Sequence, residues 1–177
     1  IGVISALEEM DVEVSFVTGT SIGAFVGALF AFGYTSKDIK EIALDLNWMD
    51  ISGIAIFENG ILSNAKLGKL LRKSLGEKKI EEAKIPLAII ATDISNGEKI
   101  VLKKGPVVQA VMASTCIPGV FSPIKLDEKL LVDGGIVENI PIDTVKKMGA
   151  EYVIGVDLNA IKTYNKPKSI LDVMVNS

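Results

Sequence analysis

Short runs of apolar residues alternate with longer amphipathic segments along this chain. The apolar runs predict strands at 14–18, 86–92, 99–102, 121–126, 129–132 and 152–158. Positions with helical spacing predict helices at 1–10, 21–32, 36–46, 64–75, 106–113 and 141–148. Because continuous apolar strands are buried between helices, this order predicts an α/β fold with a mostly parallel central sheet.

The most apolar segment, 23–32, has apolar residues on every side of its predicted helix. A membrane span needs about 20 consecutive apolar residues, so we expect this shorter helix to be buried in the fold. Hydrophobic residues make up 49% of the 177 positions and charged residues 23%, which is typical of one globular domain with a sizeable core.

The chain contains no histidine and one cysteine, Cys116. The absence of histidine excludes a Ser-His-Asp triad, a Cys-His pair and a histidine-based metal site within this chain. A single cysteine excludes an internal disulfide framework and is typical of a reducing compartment, so a cytoplasmic protein is expected. The formal net charge of −3 provides no overall attraction to nucleic acid, and no such partner is expected.

A G-x-S-x-G motif lies where a predicted strand meets a helix, formed by Gly19, Thr20, Ser21, Ile22 and Gly23. A turn this sharp strains the serine backbone, and glycines on both sides remove side chains that would clash. The hydroxyl is then exposed beside the positive end of the helix, which can stabilise an oxyanion. The alternative is an ordinary helix N-cap; the strand–helix context favours a nucleophile.

Without histidine, an activated serine needs another proton acceptor, and Asp133 is the best candidate. It ends an apolar strand and precedes Gly134 and Gly135, at the kind of strand end where α/β active sites form. An exposed aspartate has a pKa of about 4, and partial burial would raise that pKa into a more useful range for a base. A tight Asp-Gly turn is the alternative, and spacing alone supports both equally.

Four sequence blocks together resemble the patatin-like phospholipases, specifically the compact bacterial branch of that family. Residues 1–9 are similar to the family's first helix, and 19–24 (GTSIGA) to its nucleophile elbow. Residues 113–121 (ASTCIPGVF) are similar to its A-S-x-x-I-P-G-x-F block, and 133–141 (DGGIVENIP) to its D-G-G-x-x-x-N-x-P block. The blocks occur in the family's order and cover nearly the whole chain, so together they are far more specific than any one motif.

The resemblance implies a three-layer α/β/α sandwich and a Ser21–Asp133 catalytic dyad. Ser21 would attack the acyl ester of a lipid and form an acyl-enzyme intermediate, with Asp133 as the base and no calcium, other metal or cofactor. Asn139 either orients the loop that carries Asp133 or only precedes the next helix. The alternative is a non-catalytic acyl-binding or regulatory module with the same fold.

The family's oxyanion loop, G-G-G-x-[KR]-G, lies just before its first helix, where this chain begins. We therefore expect residues 1–177 to form a single patatin-like domain without this N-terminal strand and loop, and without the C-terminal end. Glu138 is a smaller departure, since asparagine is common at that position in the family.

Two further features each have two interpretations. Ser114 and Cys116 either line the acyl pocket or pack a helix end, and we favour packing for the cysteine because nothing near it predicts a reactive thiol. The third predicted helix has a basic face formed by Lys66, Lys69, Arg72 and Lys73. This face either contacts lipid headgroups, which would make the protein peripheral to a membrane, or is exposed to solvent. We favour the solvated face.

Overall fold

The computed structural model describes residues 1–44 and 64–158. The helices are α1 (Gly2–Glu9), α2 (Ile22–Ala31), α3 (Ser36–Leu44), α4 (Ala65–Leu75), α5 (Val107–Ser114) and α6 (Ile142–Lys147). The strands are β1 (Val17–Thr20), β2 (Leu87–Asp93), β3 (Glu98–Leu102), β4 (Ile124–Leu126) and β5 (Lys129–Asp133). Short 3-10 turns occur at Ile80–Glu82 and Gly134–Ile136. The predicted helices and all but one of the predicted strands therefore have counterparts in the described residues.

The sheet is organised around β2, which is buried along its whole length. β1 pairs parallel with Leu87 through Ile90, whereas β5 pairs antiparallel with Ala91 through Asp93. β3 pairs antiparallel along 89–93, and a strand has only two edges, so β1 and β5 must share the opposite edge of β2. β4 continues the sheet beyond β5. The predicted α/β class is confirmed, with a mixed sheet.

Two of the antiparallel pairs, β2–β3 and β4–β5, arise from short connections in the chain. Three residues of a turn separate β2 from Gly97, whose φ of +74° lies in the left-handed region, and β3 follows directly. Asp127, with φ of +53°, lies in the two-residue turn between β4 and β5. Connections this short can only join antiparallel neighbours, whereas a parallel pair requires a crossover of a dozen residues or so. The 66 positions between Thr20, where β1 ends, and Leu87, where its parallel partner β2 begins, contain α2, α3 and α4.

Helices cover both faces of the sheet. On one face, α2 and α5 pack against β1 and β2 in the main core, which includes Phe25, Leu29, Ile89 and Val111. On the other face, the Thr18 hydroxyl of β1 donates a hydrogen bond to the Pro141 carbonyl, directly before α6. The confirmed α/β class therefore has helical layers on both sides of its central sheet, as the three-layer prediction requires.

The predicted burial of the apolar helix is confirmed in α2. Ala24, Phe25, Ala28, Leu29 and Ala31 have no exposed surface. In the described ranges, no helix is both long enough and apolar enough to cross a membrane.

The strand predicted at 152–158 is wrong. This segment has no strand partner in the described part of the chain, and Tyr152 and Leu158 are 94% and 74% exposed. Its run of apolar residues is typical of a strand, but a strand also needs a neighbour to complete its backbone hydrogen bonds. Local pattern alone therefore overpredicted the sheet here.

Candidate active site

The ends of β1 and β5 meet on the shared edge of β2. β1 runs parallel to β2 and ends with Thr20 beside Ile90. β5 runs the opposite way and ends with Asp133 beside Ala91, the next residue of β2. Because the two strands approach from opposite directions, the residues at their ends are brought together although they are far apart in sequence.

This meeting point brings together the two residues predicted as nucleophile and base. The Ser21 hydroxyl donates a hydrogen bond of 2.6 Å to Asp133 Oδ2, across 112 positions of sequence. The length is within the range of about 2.5–2.7 Å that is usual for a hydroxyl bonded to a carboxylate oxygen. The pair therefore has the geometry required for direct proton transfer from serine to aspartate.

Ser21 has the strained backbone that the motif predicts. Its φ of +53° and ψ of −126° lie outside the regions that non-glycine residues normally adopt. Such a conformation costs about 1–3 kcal/mol and persists only where the surroundings hold it. The turn directs the Ser21 side chain toward Asp133, at the start of α2.

The two glycines of the motif are not equivalent in the structure. A Cβ on Gly19 would lie 2.4 Å from the carbonyl oxygen of Gly23, whereas a Cβ on Gly23 would meet no atom within 4 Å. The steric requirement predicted for both positions is therefore seen only at Gly19. The remaining motif residues frame the turn: Thr20 ends β1 and donates a 2.8 Å hydrogen bond to the Glu138 carbonyl, and Ile22 begins α2.

Every polar group of Asp133 forms a hydrogen bond. Its backbone N–H donates to the Cys116 carbonyl, and its own carbonyl accepts from the Thr92 hydroxyl, each at 2.8 Å. The Gly135 N–H donates to Oδ1 at 2.7 Å, which leaves Oδ2 for Ser21. Burial raises the pKa of Asp133, and the hydrogen bonds from Ser21 and Gly135 offset only part of that rise. Asp133 is thus a stronger base than an exposed aspartate.

The residues after Asp133 have distinct places in the loop. A Cβ on Gly134 would lie 2.3 Å from the Ile90 carbonyl oxygen, so only glycine allows this close approach to β2. Asn139 Oδ1 lies 3.7 Å from the position of a Cβ on Gly135, beside the loop, while the bonds that orient the carboxylate come from elsewhere. Both glycines and Asn139 are therefore near the predicted base, and the hydrogen bonds to the Asp133 carboxylate come from Gly135 and Ser21.

Glu138 connects this loop to the sheet. Its carboxylate accepts hydrogen bonds from Lys99 at 2.9 Å and Thr144 at 2.8 Å. Burial acts to raise the pKa of Glu138, but the bonds from Lys99 and Thr144 outweigh it, so the pKa is lowered. Together with the bond from Thr20 to its carbonyl, this residue ties the ends of β1 and β3 to the loop that follows Asp133.

Two residues of the third sequence block lie under the site. Cys116 has no exposed surface, its thiol donates to the Ser122 carbonyl, and burial together with the nearby Asp133 charge raises its pKa to about 11. This is a packed and unreactive thiol. Ser114 is also fully buried, and its hydroxyl contacts the backbone of Ser21. Neither interpretation of Ser114 from sequence included that contact, although its place in a family block was a signal.

The described residues hold no group of three histidine, cysteine, aspartate or glutamate side chains arranged to bind a metal ion. The basic side chains on α4 are exposed, and Arg72 forms an ion pair of 3.2 Å with Glu77. That this face is solvated, and does not contact lipid headgroups, stays a prediction.

The structure combines an α/β sheet with a strained serine at a strand–helix turn, and this serine is bonded to a carboxylate at the end of another strand. This combination defines the nucleophile-elbow class of α/β proteins. Within that class, the chain belongs to the patatin-like phospholipase family, whose model matches residues 1–146. The resemblance drawn from the four sequence blocks is confirmed.

Known relatives agree with this assignment. The chain is 34% identical over 165 residues to an uncharacterized NTE family protein of Mycobacterium tuberculosis, covering 90% of this chain and 45% of the relative. It is 29% identical over 167 residues to Lysophospholipase NTE1 of Meyerozyma guilliermondii, covering 91% of this chain and 12% of that protein. It is 32% identical over 171 residues to human patatin-like phospholipase domain-containing protein 6, covering 90% and 12%. The chain thus spans less than half the length of these relatives.

A solved structure shares the fold. VipD from Legionella pneumophila superposes with a TM-score of 0.60 at 18% identity, covering 79% of this chain and 44% of that one. At this identity the likeness concerns the fold alone.

Proposed function

We propose that this chain is a serine lipid acyl hydrolase that uses Ser21 and Asp133 as a catalytic dyad. The observation that carries the proposal is the 2.6 Å hydrogen bond from the Ser21 hydroxyl to Asp133 Oδ2. Membership of the patatin-like phospholipase family and similarity to a protein named as a lysophospholipase support an ester of a lipid as substrate. We therefore infer a carboxylic ester hydrolase with lipid substrates.

In the first half of the reaction, Ser21 Oγ attacks the carbonyl carbon of the ester. Its proton passes to Asp133 Oδ2 along the existing hydrogen bond, while the Gly135 N–H holds Oδ1 in place. Because the pKa of Asp133 is raised, Asp133 accepts the proton more readily than an exposed aspartate would. The tetrahedral intermediate then collapses, the bond to the alcohol breaks, and the alcohol leaves with the proton from Asp133.

In the second half, Asp133 accepts a proton from water as the water oxygen attacks the acyl-enzyme. The ester bond to Ser21 breaks, the carboxylic acid leaves, and the proton returns to Ser21 Oγ. The positive end of α2 lies directly behind Ser21 and favours the negative charge that develops on the carbonyl oxygen.

The test is ester hydrolysis by the full-length protein, measured with p-nitrophenyl butyrate and with a lysophospholipid. We expect Ser21→Ala and Asp133→Ala each to lower kcat by at least about 100-fold, the usual lower range for loss of a nucleophile or a general base. Asp93→Asn is the matched control, because Asp93 is also a buried carboxylate at a strand end but bonds to Ser95 and Lys129 instead of Ser21. Activity retained in either dyad variant would refute the assignment.

A fluorophosphonate probe separates this proposal from the acyl-binding module. A nucleophilic Ser21 is expected to become covalently labelled, and the label should be lost in Ser21→Ala. A folded wild type that binds fatty acid but neither hydrolyses esters nor takes the label would support the non-catalytic module.

A further inference from the structure

Ser114, at the end of α5, is a buried serine that contacts the backbone of the candidate nucleophile. The side chain has no exposed surface. Its Oγ lies 2.9 Å from the Ser21 backbone nitrogen and 2.6 Å from the Ile90 carbonyl oxygen. These contacts place one hydroxyl between the strained turn and the central strand of the sheet.

The direction of both hydrogen bonds follows from the chemistry of a hydroxyl. Ser114 has one proton to donate, and the Ile90 carbonyl can only accept, so the proton goes to Ile90. The lone pairs of the hydroxyl are then left for the Ser21 N–H, which can only donate. The bond to the Ile90 carbonyl thereby orients the Ser114 hydroxyl so that it accepts a hydrogen bond from the Ser21 N–H.

Ile90 occupies the junction on which the site is built. It is the last residue of β2 that pairs with β1, and the next residue, Ala91, is the first that pairs with β5. The same carbonyl oxygen also lies against Gly134, which follows Asp133. Ser114 is therefore bonded to the residue of β2 beside which β1, leading to Ser21, and β5, ending at Asp133, meet.

We propose that Ser114 is a positioning residue, whose hydroxyl holds the Ser21 backbone in the strained conformation that directs Oγ to Asp133. This inference rests on the proposed function of Ser21 and Asp133. The Ser21 N–H lies in the Thr20–Ser21 peptide plane, so its hydrogen bond to Ser114 fixes the orientation of that plane. Because α2 holds the chain directly after Ser21, a fixed peptide plane restrains φ of Ser21 and with it the direction of the side chain. A shift of about 1 Å in a reacting group can lower the rate by about 100-fold, so this restraint acts on kcat without contact with substrate.

The experiment compares Ser114→Ala with Thr115→Ala in the full-length protein. Thr115 is the matched control, because its hydroxyl is also buried at the end of α5 but donates to the Val111 carbonyl within the helix instead of contacting Ser21. With p-nitrophenyl butyrate, we expect Ser114→Ala to lower kcat by about 10- to 100-fold with little change in KM. Thr115→Ala should stay within about threefold of wild type, since it leaves the turn intact.

A purely structural role for Ser114 would give a different pattern. In that case kcat per folded molecule, measured well below the melting temperature, would match wild type, and this result would overturn the proposal. If Ser114→Ala does not fold, Ser114→Cys decides. A thiol is a weaker hydrogen-bond acceptor than a hydroxyl, so kcat of this variant should be lower than that of wild type, and wild-type kcat would contradict the proposal.

A crystal structure of a Ser114 variant gives a readout that does not depend on activity. We expect the distance between Ser21 Oγ and Asp133 Oδ2 to exceed hydrogen-bonding range, with a changed φ at Ser21. An unchanged contact would refute the positioning role even in a protein that hydrolyses no ester. A wild-type protein that hydrolyses no ester would refute the proposed function. An active wild type together with a fully active Ser114→Ala variant would refute only the positioning role of Ser114.

Discussion

The two glycines of the G-x-S-x-G motif should respond in opposite ways to the same substitution. In Gly19→Ala, the new methyl group would lie 2.4, 2.6 and 2.7 Å from backbone atoms of Gly23 and Ala24. These atoms belong to the start of α2 and cannot rotate away as a flexible side chain could. In Gly23→Ala, the methyl would meet no atom within 4 Å and would lie in the first turn of a helix.

The magnitudes follow from these environments. Overpacking in a close-packed interior costs about 1–3 kcal/mol, and the rigid backbone around Gly19 places its substitution near the upper value, about 3 kcal/mol. For Gly23, alanine is a better helix former than glycine by up to about 1 kcal/mol. In a chain of this size, 1 kcal/mol shifts the Tm by about 2–4 °C. We therefore expect Gly19→Ala to lower the Tm by about 6–12 °C and Gly23→Ala to raise it by up to about 4 °C.

Thermal unfolding followed by circular dichroism in one buffer, with reversibility checked by a second scan, measures both shifts. Urea titration provides an independent comparison, because a change in midpoint at constant slope reports stability alone. A Gly19→Ala variant as stable as wild type, or equal losses in both variants, would show that the motif does not have the steric asymmetry described here.

Two further substitutions test the base and its loop. Asp133→Asn should lower ester hydrolysis by at least about 100-fold yet raise the Tm near neutral pH, because burial raises the pKa of Asp133 and its ionised form is less favourable in the folded chain than in the unfolded one. The stability gain should shrink as the pH falls toward about 4, where the aspartate of the unfolded chain also becomes protonated; a gain independent of pH would contradict this account. Gly134→Ala should lower the Tm much more than Gly135→Ala, since the first methyl would lie 2.3 Å from a backbone carbonyl oxygen and the second 3.1 Å from Asp133 Oδ1. Equal Tm values for the two would count against the packing of this loop.

Local pattern predicted the elements around the site well, because each depends on neighbouring residues. The apolar run before the motif became β1 (Val17–Thr20), the helix after it became α2, and the apolar strand 86–92 became β2 (Leu87–Asp93). The same reasoning failed at 152–158, where an apolar run indicated a strand but no described strand pairs with it. It also treated Gly19 and Gly23 alike, because spacing in the sequence does not reveal which backbone atoms approach each of them.

The sequence by itself determined the α/β class, the family and the chemistry available, since these depend on residue types and their order. A serine at a strand–helix junction, an aspartate at a strand end and the absence of histidine are all visible in the chain as written. Only the tertiary structure decided that Ser21 and Asp133 touch, and that the Ser114 hydroxyl accepts a hydrogen bond from the Ser21 backbone. Those contacts require β1 and β5 to approach from opposite directions along one edge of β2. Strand order and direction result from packing across the whole fold, and the local periodicity of a sequence does not specify them.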